Sequence, residues 1–138
     1  MELATFGAIM SFAIEMERRA LGFFHEAATR EGLEVRFGEM ANRARKRLAR
    51  AERARREGVA EMILESIEGL RSEDFEIDLS PGADESQLVE QAATLAETAS
   101  RFYHQAASKV PIKEVSRLLG RMAREWEQQL SDLQQMSP

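Results

Sequence analysis

The chain of 138 residues has no cysteine, only two histidines, and a single tyrosine and a single tryptophan. Without cysteine there can be no disulfide, no thiol nucleophile and no thiolate-ligated metal centre. That composition suits a reducing compartment. Long hydrophobic runs are missing too. The longest, Leu3 to Ile14, is interrupted by Thr5, Gly7 and Ser11 and bounded by Glu2 and Glu15. It is too short to cross a bilayer. It also lacks a positive flank and a cleavage site, so it does not read as a signal peptide. There is no Ser/His/Asp arrangement, no phosphate-binding glycine loop and no interleaving of aromatic and basic residues. The expectation is a soluble cytoplasmic protein that takes neither a membrane nor nucleic acid as partner.

What is present fits one helical domain over residues 1–138. Hydrophobic residues make up 43% and charged residues 31%, enough apolar side chain for a sizeable core. The net charge of −5 is unevenly placed. Between Asn42 and Arg56, eight basic residues stand against the single acid Glu52, giving +7 there and −12 elsewhere. A basic helix of this kind binds a polyanion or lies against acidic helices. In an acidic protein that repels phosphate the second reading is preferred, with the acidic helices supplied by its own bundle or a second subunit.

Apolar residues recur with helical period from Glu2 to about Arg30, where Phe6, Met10, Ala13, Leu21, Phe24 and Ala28 share a stripe. Gly32 breaks the pattern. A second helix is expected from about Leu33 to Glu57, and a short one from Val59 to Glu68. From Leu70 to Ala83 the period changes to alternation. Phe75, Ile77 and Leu79 are separated by acids and followed by Ser80-Pro81-Gly82, which predicts an extended crossover with its apolar side chains inward. Asp84, with Gln87 three residues on, predicts a capping box and a third helix to about Ser108. Pro111 opens a fourth, whose inner face carries Val115, Leu118, Leu119, Met122, Trp126, Leu130 and Leu133. The fold class is therefore all-α, a four-helix bundle of two antiparallel hairpins joined by a long crossover that contains a short helix.

The two hairpins also repeat each other. Leu21-Gly-Phe-Phe-His-Glu-Ala-Ala28 aligns with Ser100-Arg-Phe-Tyr-His-Gln-Ala-Ala107 at an offset of 79. Phe37-Gly-Glu-Met-Ala41 aligns with Leu119-Gly-Arg-Met-Ala123 at an offset of 82. These segments resemble the ferritin-like proteins of the rubrerythrin kind, over nearly the whole chain. The resemblance implies a di-iron site, with one glutamate from each first helix and a Glu-x-x-His pair from each second helix. Carried onto this chain, the first glutamate is Glu17, and its repeat partner falls on Ala96. The Glu-x-x-His positions fall on Ala44 and Arg47, and on Trp126 and Gln129. Only Glu17 matches.

Glu17 lies in the middle of an apolar stripe, where a bare carboxylate is very costly. Arg47 and Gln129 are the groups expected within its reach, and a buried Glu17–Arg47 pair is the preferred reading. Trp126 reads as core packing, and Tyr103 as an inward tyrosine needing a single hydrogen-bond partner. His25 and His104 fall on helix shoulders, too far apart to share a metal. Glu15, Glu26, Glu39, Glu125 and Glu127 read as surface acids, with a metal site among them as the lesser alternative. The resulting expectation is a ferritin-like protein without its di-iron centre and without a cofactor. It would act as a non-catalytic structural or binding module, in the form of a homodimer. That dimer rests on the uneven charge and on the Leu3–Ile14 run, with Phe12, turned away from the stripe, at its contact. The alternatives are a rubrerythrin-type di-iron oxidoreductase or iron-binding protein with a shifted or shared site, and a small-ligand binder around Tyr103 and Trp126.

Overall fold

A computed structural model describes residues 1–58 and 66–136. Four helices, α1 (Phe6–Ala27), α2 (Glu34–Gly58), α3 (Glu85–Lys109) and α4 (Lys113–Met136), form a bundle with no strand among the described residues. α1 pairs closely with α2 and α3 with α4, and each pair meets the other through α1 against α3 and α2 against α4. α2 and α3 therefore stand at opposite corners.

The ends of the helices follow local chemistry. The Thr5 hydroxyl accepts from the Ala8 N–H at 3.0 Å and starts α1, four residues later than the sequence pattern predicts. The reason is a competing backbone partner. Leu3 N–H donates to the Leu70 carbonyl, Ile67 N–H to that of Ala4, and Ser72 N–H to that of Met1, so the first four residues run beside 67–72. Gly32 adopts φ +85° in the turn between α1 and α2, a region that disfavours side chains. At α3 both halves of the Asp84–Gln87 capping box are formed. α4 begins at Lys113, two residues after Pro111.

The crossover travels the length of the bundle. It leaves the α1 start at Leu3 and Leu70, and reaches the α1 end where Arg30 donates to the carbonyls of Pro81 and Ala83. Its predicted extended course is interrupted by one 3-10 turn, Ser72–Phe75. Of its three apolar residues Phe75 is fully buried, while Ile77 and Leu79 are half-buried against the core. Arg19 and Arg101 hold it by donating to the carbonyls of Ile77 and Asp74. The expected helix over 59–68 lies outside the described residues for 59–65, and residues 66–68 are not helical.

This crossover gives Phe12 neighbours within the chain, and its ring is half-buried. It packs 4.8 Å from Phe102 and 6.4 Å from Phe75, centroid to centroid, beneath the strap. Leu3, Phe6, Ile9, Met10, Ala13 and Ile14 are buried within the chain, and Met1 and Val35 are the large apolar side chains left exposed among the described residues. Most of the Leu3–Ile14 run is therefore covered within the chain, while Phe12 stays half-buried beside a surface cleft.

Candidate polar site at the bundle centre

Each helix sends one side chain to a common point. Glu17 comes from the middle of α1, on the face whose other buried members are Met10, Ala13, Ala20 and Phe24. Arg47 comes from α2, Tyr103 from α3 and Trp126 from α4, and all four are fully buried. The Arg47 Nε–H reaches both carboxylate oxygens of Glu17, at 3.0 Å to Oε1 and 3.2 Å to Oε2. The Tyr103 hydroxyl donates to Oε2 at 2.7 Å and the Trp126 indole N–H donates to the same oxygen at 3.0 Å. The guanidinium also stacks on the indole, its Cζ 4.0 Å from the ring centroid, a geometry favoured by the negative face of the π system.

The arrangement satisfies a buried charge. Taking a carboxylate into an apolar core is expensive unless it is paired and hydrogen-bonded. Here three donors converge on it, one of them the opposite charge of Arg47. Burial raises the Tyr103 hydroxyl well above its ordinary pKa of 10.0, and the nearby Glu17 charge and the hydrogen bond to it push the same way. Tyr103 is thus held as a neutral donor.

The Glu17–Arg47 pair expected from the sequence is present. The expected reach of Gln129 to Glu17 is not. Tyr103 and Trp126 take the oxygen instead, and Gln129, fully buried one helical turn along α4 from Trp126, has no partner for either amide atom among the described residues. Nor do Nη1 and Nη2 of Arg47. The donor role of the Trp126 indole was not legible from its packing role. The repeat held a signal for Tyr103, since it adds a hydroxyl where its counterpart Phe24 has none, beside a carboxylate that needs donors.

The residues present do not fit a di-iron centre. The one carboxylate is committed to three donors, a guanidinium cation stands beside it, and the indole fills the space between the helices. Ala44 and Ala96 are buried and carry no ligand atom. Among the described residues no group of three or more His, Asp or Glu side chains is placed to hold a metal ion. The surface acids are dispersed or paired: Glu125 with Arg50 and Arg121, and Glu127 with His104. His25 and His104 are both exposed, on α1 and α3.

Clefts among the described residues lie on the surface. One of about 510 Å³ runs between the crossover and α3, floored by Ile77, Leu79 and Leu95, and one of about 370 Å³ lies beside Phe12, Met16 and Phe75. Neither is lined by Tyr103 or Trp126. No helix among the described residues is long and apolar enough to cross a membrane. Comparison with protein families, with curated proteins and with solved structures gives no significant match to this chain.

Proposed function

We propose that this chain is a ferritin-like bundle in which a hydrogen-bonded ion pair stands where rubrerythrin-like proteins hold two irons, and that it serves as a non-catalytic structural or binding module. The observation that carries this reading is the Glu17 carboxylate, enclosed by Arg47, Tyr103 and Trp126 from the three other helices. Two short hairpins joined by a crossover running the length of the bundle, as in ferritin-like folds, support the frame. A non-catalytic role is supported by these groups, none of which is both accessible and free. The carboxylate, the hydroxyl and the indole N–H are spent on one another, and all are sealed from solvent. Association with a second copy belongs to the same reading, and its support is mainly charge.

The test is metal content and redox activity of protein purified from iron-rich medium, before and after iron removal and readdition. The expected result is no tightly bound iron, no ferroxidase or peroxidase activity, and a Trp126 emission that ignores ferrous and manganous ions. A stoichiometric pair of irons with the absorption of an oxo-bridged centre would overturn the proposal.

A further inference from the structure

Charge is sorted across this bundle by position. α2 carries nine basic residues against four acids, whereas residues 66–109, the crossover and α3, carry nine acids against three bases. Ion pairing leaves much of this uncompensated. On α2, Arg43 meets Asp132, Arg50 meets Glu125 and Arg53 meets Glu57. Arg36, Arg45, Lys46, Arg55 and Arg56 are exposed and enter no ion pair among the described residues. On the other side, Asp74, Glu76, Asp78, Glu90 and Glu97 are likewise exposed and unpaired among the described residues. Three of them, Glu76, Asp78 and Glu90, rim the 510 Å³ cleft between the crossover and α3.

The topology sets these two edges apart. α2 and α3 are diagonal in the bundle, and the crossover lies on the α1–α3 side, where Phe75 packs on Phe12 and Phe102. Among the described residues no ion pair joins the two edges. We propose that the basic edge of α2 docks on the acidic crossover–α3 edge of a second copy of this chain. A second copy answers both edges at once, whereas a phosphate polymer would meet a protein of net charge −5 and leave the acidic edge without a partner.

The geometry also specifies the kind of assembly. A two-fold dimer centred on either edge alone would set like charge against like, because it places the same patch on both partners. Joining one unlike edge to another from opposite corners is a head-to-tail contact that leaves an edge free at each end, so growth passes two unless the copies close into a ring. With Met1 and Val35 the large apolar side chains exposed among the described residues, the attraction is electrostatic and screened by salt over a distance of about 10 Å at 0.1 M ionic strength. This inference stands on the charged edges alone and does not depend on the fate of the buried site.

Sedimentation velocity at low and high salt tests it. At low salt the weight-average mass should climb with concentration past that of two chains, and fall to that of one chain in high salt. Two neutralised variants sharpen the test. R45Q/K46Q/R56Q removes the basic edge and E76Q/D78N/E90Q the acidic one, and each alone should remain a monomer. Mixed in equal amounts, each retains the edge the other lacks, so they should form a one-to-one pair that goes no further. All six positions are exposed, so folding is not at stake. A monomer at low salt and high concentration would overturn the proposal. So would a salt-insensitive closed dimer, or a basic edge whose neutralisation abolishes binding to an oligonucleotide while the chain stays monomeric throughout.

Discussion

The two hairpins are built on one repeat but contribute opposite things to the centre. The α1–α2 hairpin supplies the charges, Glu17 and Arg47, and the α3–α4 hairpin supplies neutral donors, Tyr103 and Trp126. At the positions the repeat relates, Glu17 faces Ala96, Ala44 faces Trp126, Arg47 faces Gln129 and Phe24 faces Tyr103 in the alignment. The asymmetry has a physical reason. A second carboxylate at the same level would repel the first in a low-dielectric core, whereas one carboxylate can be fully served by one cation and two N–H or O–H donors. The repeat keeps the frame, and only one copy keeps the charge.

The largest effect should come from splitting the charge pair. Arg47→Ala leaves Glu17 buried without its counter-ion and should cost about 3–5 kcal/mol, while Glu17→Gln combined with Arg47→Met should cost much less. Urea unfolding read by the emission of the single tryptophan measures both. A loss under about 0.5 kcal/mol for Arg47→Ala, the size of an ordinary surface change, would show that the pair is not what holds the centre.

Exchanging the aromatic pair tests the asymmetry itself. Tyr103→Phe removes a hydrogen bond to a charged group and should cost about 1.5–3 kcal/mol. Its mirror image, Phe24→Tyr, puts a hydroxyl where the repeat provides Ala96 in place of a carboxylate. That change should destabilise as well, by about 1–3 kcal/mol for a buried unpaired polar group. If Phe24→Tyr were neutral, the two hairpins would be more alike than the geometry states.

Alkaline pH probes the same hydroxyl with a predictable sign. Tyr103 has a raised folded-state pKa, so above the ordinary value of 10.0 the unfolded chain releases its proton first. Tyr103 therefore contributes its full stability below pH 10, and that contribution is lost as pH rises toward the folded pKa. Because the chain has one tyrosine, tyrosinate absorbance should appear only with unfolding, and Tyr103→Phe should flatten this part of the stability profile. Tyrosinate forming in the folded protein near pH 10 would contradict the burial.

The smallest effect is expected at Gln129, whose amide atoms have no partner among the described residues. Gln129→Met keeps the volume and removes the unpaired groups, so stability should change by less than about 1 kcal/mol or rise. A loss of several kcal/mol in urea unfolding would mean that Gln129 shares the work of the other four residues.

Parts of this arrangement are legible in one dimension because they depend on neighbours three and four residues away. The position of Glu17 in an apolar stripe, the Asp84–Gln87 box, the inward Arg47 and the exposed His25 and His104 all follow from helical period. The neighbours of Phe12 were not legible, for the opposite reason. Its angle on α1 does point away from the stripe, but what it meets there is Phe75, 63 positions on in the chain. The same holds for the start of α1, delayed by backbone partners at Ile67, Leu70 and Ser72.

The sequence by itself determined four helices, their inward faces, the crossover and the presence of one buried charge needing a partner. These rest on local periodicity and on the cost of burying a carboxylate. Only the tertiary structure decided which donors serve that carboxylate, since Tyr103, Trp126 and Gln129 all point inward and a few ångströms of helix placement choose between them. It alone also decided that most of the apolar N-terminal run is covered from within, and that the basic and acidic edges stand at opposite corners, because the path of the crossover and the order of the helices around the bundle are set by contacts between residues far apart in the chain.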